Sequence, residues 1–136
     1  MAYQSLEEIN QFCVEKSVPF WKAVLLGDME ENGISEEESV HTMKGMWDAM
    51  LRASDDYDTN LTSNSGLVGG MGGQMESYRK KGDTLCGNFV SKVIAQALQM
   101  GESNACMKRI VAAPTAGACG VIPAVLVPLF REKRNI

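Results

Sequence analysis

Two segments built almost wholly from small residues limit what this chain can fold into. The first, Ser63–Gly73, reads SNSGLVGGMGG, and the second, Ala112–Gly120, reads AAPTAGACG. Glycine costs about 1 kcal/mol relative to alanine inside a helix, so neither segment predicts an ordinary helix interior. Such segments offer exposed backbone N–H groups, hydroxyls and room for a small anionic ligand. In the first, the run Gly69-Gly70-Met71-Gly72-Gly73 gives consecutive amides free of side-chain obstruction, with the hydroxyls of Ser63 and Ser65 beside Gly66. A nest of that kind receives a carboxylate or phosphate. It is not a dinucleotide fingerprint, because no strand precedes it and no GxGxxG is present. It is not a phosphate-binding P-loop, because no Gly-Lys-Ser/Thr ends it. The plain alternative is a flexible surface loop. In the second segment, Pro114-Thr115-Ala116-Gly117 fits either two elements packed at close range or a helix start aimed at a ligand, with Thr115 as donor.

The rest of the chain reads as all-α. Ser5-Leu6-Glu7-Glu8 is a capping box, followed by Leu6, Ile9, Phe12 and Cys13 at helical spacing. A second helix from about Val18 ends at Gly33. Ser35-Glu36-Glu37-Glu38 is another capping box, its acids suited to the positive end of the helix dipole. The stripe Val40, Met43, Trp47, Met50 and Leu51 follows, and Met43, Met46 and Met50 read as core methionines. Asp55–Asn60 is a turn-rich break. A short helix over Gln74–Lys80 is expected after the first glycine segment. Val90, Val93, Ile94, Ala97 and Leu98 mark an amphipathic helix stopped by Gly101. A further helix is expected over Asn104–Ala113. Val121–Phe130 is apolar nearly all round and reads as a buried helix, with Pro123 in its first turn and Pro128 as a kink.

The chain has 136 residues, about one domain on a prior of ~100–200 residues each. Its net charge of −4 argues against nucleic acid or an anionic membrane as partner. No apolar run reaches the ~18 residues of a transmembrane helix. The polar, acidic start does not resemble a signal peptide, so a cytoplasmic location is expected. Cys13, Cys86, Cys106 and Cys119 are scattered without a CxxC pair, and His41 is the single histidine. That pattern implies no metal site, and the thiols read as small core residues. Cys119 stands at a helix start that would stabilise a thiolate. His41 lies in a charged helical stretch and reads as solvent-facing.

Ser65-Gly66-Leu67-Val68-Gly69-Gly70 resembles the serine–glycine–leucine–glycine–glycine signature of the alpha chains of iron–sulfur-dependent L-serine dehydratases. Pro114-Thr115-Ala116-Gly117 followed by Gly120-Val121-Ile122-Pro123 is similar to their second signature. Order and separation match as well, and the resemblance covers essentially the whole chain. It implies an all-helical catalytic domain that converts L-serine to pyruvate and ammonia without pyridoxal phosphate. It also implies a [4Fe-4S] cluster whose open iron acts as Lewis acid on the substrate hydroxyl while a base removes the α-proton. By the same resemblance Ser63, Ser65, Gly66, Gly69, Gly70, Pro114, Thr115, Ala116 and Gly117 line the substrate pocket.

Family alpha chains are longer, and their cluster cysteines lie in a later half that this sequence lacks. Residues 1–136 are therefore expected to be the N-terminal part of an alpha-type catalytic domain, inactive alone and without cluster ligands. The expected partners are L-serine, the remainder of the alpha domain and a beta chain or domain, within an oligomer. Beside an anion-binding module using Ser63–Gly73 alone, two alternatives stay open. One is a cysteine-desulfidase-type lyase. The other is a non-enzymatic helical interaction domain, suggested by the apolar segment so close to the end.

Overall fold

The computed structural model describes residues 3–133. Among them the chain forms six α-helices, one short 3₁₀ turn and no strand, as the all-α reading requires. The helices are α1 (Leu6–Lys16), α2 (Phe20–Asn32), α3 (Glu36–Asp55), α4 (Met71–Lys80), α5 (Gly87–Ala105) and α6 (Val121–Glu132), with the 3₁₀ turn at Ala116–Ala118. The chain divides into two compact units, Met1–Gly45 and Met46–Ile136, and the boundary falls inside α3. No described helix is long and apolar enough to cross a membrane. Arg134, one of the basic residues near the end, lies outside the described residues.

In the first unit the capping signals do what their chemistry predicts. Ser5 Oγ accepts from the Glu8 amide at 3.2 Å. Ser35 and Glu38 form a reciprocal box, Glu38 N to Ser35 Oγ at 3.2 Å and Ser35 N to Glu38 Oε2 at 2.8 Å. The Ser35 amide first, and then the Ser35 hydroxyl at 2.8 Å, donate to the Glu38 carboxyl and hold it below its ordinary range. Gly33 ends α2 in the left-handed conformation. Tyr3 packs edge-on against Phe12 of α1, ring centroids 5.6 Å apart, and its hydroxyl donates to the Ala23 carbonyl of α2 at 3.1 Å. Gly27 makes room for that ring, since a Cβ there would lie 2.6 Å from Tyr3 Cε2.

The second unit is built around α5, against which α4 and α6 both pack. Its core holds Ala49, Met50 and Ala53 of α3, Ala95 and Met100 of α5, and Ala124 and Val127 of α6. Small side chains let these helices approach closely. Gly72 of α4 is buried on α5, where a Cβ would lie 2.9 Å from the Gln99 backbone nitrogen. Gly120 sits likewise against the Ala97 carbonyl, at 3.1 Å from such a Cβ. Trp47 meets Phe130 edge-on at 5.4 Å, and Arg131 pairs with Asp55 at 2.6 Å.

Five expectations change. The helix α4 starts at Met71 rather than Gln74, so Gly72 and Gly73 lie in its first turn. Close packing on α5 outweighs the roughly 1 kcal/mol propensity cost. Gly101 does not stop α5, which runs on to Ala105. The amides of Cys106 and Lys108 then close that helix on the carbonyls of Glu102 and Ser103. With the chain turned there, no helix forms over 106–113. Finally, α6 buries one face only: Pro123, Ala124, Val127 and Pro128 are covered, while Val121, Ile122, Val125, Leu126 and Phe130 are exposed. Pro123 does sit in the first turn. Of the three methionines on α3, Met50 is buried and Met43 and Met46 are exposed.

Candidate substrate-binding site

The first glycine segment is a turn that satisfies itself and then feeds a helix. The Gly66 amide donates to Ser63 O at 2.8 Å, and the Ser63 amide to Val68 O at 2.8 Å. Ser63 Oγ accepts from the Val68 amide at 3.2 Å, and Ser65 Oγ from the Leu67 amide at 3.4 Å. The two hydroxyls also bond each other at 3.0 Å. Gly66, at φ +74°, takes the left-handed conformation that the tight turn requires. Gly69 is pressed against the preceding stretch of loop, where a Cβ would lie 2.5 Å from Leu61 O. Gly70, at φ +76°, leads into α4. Among the described residues, the amides of Gly69 and Gly70 donate no hydrogen bond.

The next three amides are all taken, by residues that the sequence reading did not single out. Glu102, only 5% exposed, reaches from α5 to the start of α4. Its Oε1 accepts from the Met71 amide at 2.5 Å, and its Oε2 from the Gly72 amide at 3.1 Å. The Tyr57 hydroxyl donates to Oε2 at 2.6 Å and accepts from the Gly73 amide at 3.0 Å. Burial first, and then the bond to Glu102, hold the Tyr57 phenol above its ordinary pKa. The positive end of the α4 dipole thus faces a resident carboxylate, an interaction worth up to ~2 kcal/mol in a part-buried geometry. Part of the anion nest expected from the sequence is therefore filled by the chain's own acid.

A cavity of about 670 Å³ opens beside this network. Tyr57, Thr59, Gly70, Gly73, Gln99, Lys80 and Lys81 are among the residues that line it. Gly70 is the one member of the expected site residues on its wall.

The second segment is held more lightly. The bond Ala113–Pro114 is cis. Thr115 is extended, and its side chain makes no capping bond to the turn that follows. Pro114, Thr115, Ala116 and Gly117 are all exposed. From outside, Asn104 Nδ2 donates to Ala116 O at 3.2 Å, and the Cys119 thiol in turn donates to Met100 O at 3.9 Å. Cys119 is buried, and burial pushes its thiol up, the reverse of the activation expected at a helix start.

The two segments thus meet the same last turns of α5, one at Glu102 and the other at Asn104. No hydrogen bond among the described residues joins them directly. The sequence signal for this hub was faint but present: Gly101-Glu102-Ser103-Asn104 interrupts the apolar stripe of α5 with polar residues that are buried or half-buried. Elsewhere, His41 is exposed, as its charged surroundings suggest.

The geometry defines a helical module that gathers two small-residue loops on the end of one helix. Comparison with known proteins places that module. Residues 15–135 match the family described as serine dehydratase alpha chain, and the chain belongs to that family. It is 32% identical over 132 residues to an L-serine dehydratase alpha chain of Peptoniphilus asaccharolyticus, covering 94% of this chain and 44% of that one. It is 28% identical over 133 residues to a probable L-serine dehydratase alpha chain of Bacillus subtilis (strain 168), covering 98% and 44%. A shorter stretch of 49 residues is 51% identical to the L-serine dehydratase TdcG of Escherichia coli (strain K12), covering 36% and 11%. The chain therefore spans less than half the length of these curated relatives. No solved structure matches it.

Proposed function

We propose that this chain is the substrate-binding, N-terminal portion of the alpha-type catalytic unit of an L-serine dehydratase, a lyase that yields pyruvate and ammonia. The observation that carries the reading is the family match over residues 15–135, which takes in both glycine segments. The geometry supports it. A serine carboxylate needs N–H donors, and the amides of Gly69 and Gly70, like those of Asn64 and Ser65 in the same segment, donate no hydrogen bond among the described residues. Ser63, Ser65 and Gly66 shape the turn that presents them. Thr115 offers a hydroxyl on the second loop, and Pro114, Ala116 and Gly117 leave space around it. These groups bind and orient substrate.

The [4Fe-4S] cluster implied by the resemblance does not fit the residues described. No three His, Cys, Asp or Glu side chains converge among them, and the Cys119 thiol is buried with its pKa raised. In our reading the cluster's ligands, the catalytic base and the interface with a beta chain belong to the remainder of an oligomeric enzyme in the cytoplasm, one that works without pyridoxal phosphate.

The test is made on the complete alpha chain, purified without oxygen. Pyruvate formation is assayed with L-serine and L-cysteine alongside iron and labile sulfide, with residues 1–136 as control. Serine turnover with bound iron in the complete form, and neither in the control, is the expected result. An iron-free complete chain without turnover overturns the proposal, and a preference for L-cysteine moves it to the desulfidase class. Within the active enzyme, Thr115→Val is expected to weaken serine turnover about tenfold while iron content stays at the parent level. Loss of iron in that variant contradicts a substrate contact.

A further inference from the structure

We propose that Glu102 and Asn104 are positioning residues, which fix the two loops from one helix end so that their donors are preset for substrate. This rests on the reading that the loops bind L-serine.

A buried carboxylate is costly unless charge or hydrogen bonds compensate it. Glu102 is 5% exposed, and its described partners include no cation: two backbone amides and one phenol satisfy it. An uncharged side chain could fill the same space at lower desolvation cost. What the carboxylate adds is direction, since charge-assisted bonds are shorter and more demanding in geometry than neutral ones. With Tyr57 as a relay, it ties the amides of Met71, Gly72 and Gly73, three in a row. The peptide planes immediately before them belong to Gly70 and Gly69, whose amides donate no hydrogen bond among the described residues. Fixing the first turn of α4 therefore limits how those two planes turn. Two neighbours narrow the choice further: Leu61 O lies against Gly69, and Thr59 O lies 3.6 Å from a Cβ built on Gly70. Glycines give the backbone freedom; Glu102 removes it again at the one place where orientation matters.

Asn104 acts on the other loop. Side chains two positions apart on a helix diverge by about 200°, so Glu102 and Asn104 leave α5 on different sides. The carbonyl that Asn104 holds, Ala116 O, belongs to the residue after Thr115. The proposed donor of the second loop is thus set from the same turn of α5 as the amides of the first.

The experiment compares steady-state kinetics of the complete enzyme in two sets of variants. Gly69→Ala and Thr115→Val test whether the loops bind substrate. Glu102→Gln, Tyr57→Phe and Asn104→Ala test whether they are positioned as described. Glu102→Gln keeps the size of the side chain but replaces an acceptor oxygen with an amide donor facing the α4 amides. We expect KM for L-serine to rise about tenfold in Glu102→Gln and about threefold in Tyr57→Phe and Asn104→Ala, with kcat changed less than KM. A merely structural role would lower the yield and melting temperature, while the enzyme that remains keeps the parent KM, and that result overturns the proposal. If Glu102→Gln does not fold, an unchanged KM in both Tyr57→Phe and Asn104→Ala overturns it equally. Raised KM in Gly69→Ala and Thr115→Val with parent KM in the positioning set defeats only the positioning. Parent KM in Gly69→Ala and Thr115→Val defeats the loop reading itself.

Discussion

The two glycine segments look alike in sequence and are built in opposite ways. Residues 63–73 close on themselves through Ser63 and Ser65, then run into a helix whose first amides are bound by a buried acid. Residues 112–120 expose Pro114 through Gly117 and are tied to the rest of the unit by the side chain of Asn104 and by the burial of Cys119. In the first, glycine serves close approach: Gly69 and Gly72 have no room for a methyl group. In the second, Gly120 at its end packs on α5, but Gly117 in the exposed part meets no atom closer than 3.9 Å from its would-be Cβ, so its smallness answers to nothing within the described residues. Small residues alone therefore do not reveal whether a loop is packed or open. The difference lies in what stands opposite them.

The sharpest way to break the comparison is to add the same methyl group to both loops. Gly72→Ala forces a Cβ to within 2.9 Å of the Gln99 backbone, and overpacking of this kind costs about 1–3 kcal/mol. Gly117→Ala is expected to stay within about 0.5 kcal/mol of the parent. Chemical denaturation of the two variants reads the difference, and equal losses would erase the distinction.

Hydroxyl removal separates the loops by a smaller margin. Ser63→Ala takes away an acceptor for the Val68 amide and a partner for Ser65, a loss of about 1 kcal/mol. Thr115→Val removes a hydroxyl without a capping bond and is expected to leave stability within about 0.5 kcal/mol. Urea midpoints at constant slope measure both.

The smallest effect is pH dependence on α4, the helix that the first loop feeds. Glu76 is bridged by Arg79 at 2.7 Å, and that bond holds its carboxyl below the ordinary 4.5. A depressed folded pKa means stability that is present above pH 4.5 and lost as pH falls through the lowered value. The contribution is at most about 1 kcal/mol for a partly exposed pair. A Glu76→Gln variant is expected to lack that part of the acid limb when stability is followed from about pH 6 to about pH 3. An unchanged acid limb would show that the bridge contributes nothing.

Local rules carried the sequence reading a long way. Capping boxes at Ser5 and Ser35, the Gly33 stop and the proline in the first turn of α6 are decisions taken within a few residues, and the helices there begin and end as expected. At several of the misread positions a distant residue decides. Gly72 joins a helix with Gln99 of α5 against it and Gly73 with Thr59 and Tyr57 against it, and Gly101 fails to end α5 although glycine usually marks such an end. The α6 helix is apolar on both faces, and periodicity cannot say which face is covered. For the site, the sequence offered the loops and their hydroxyls. It did not offer Glu102, because an acid in the last turn of a helix reads as solvated until Met71, Gly72 and Tyr57 are seen to surround it.

The most direct test of the account is hydrogen–deuterium exchange of the complete enzyme with and without saturating L-serine, resolved to the two loops. If both loops bind substrate, exchange slows in residues 63–73 and in 112–120, with the larger change in the second, which starts out less tied. Exchange that stays the same in both segments while serine is being turned over would contradict a substrate site built from these loops.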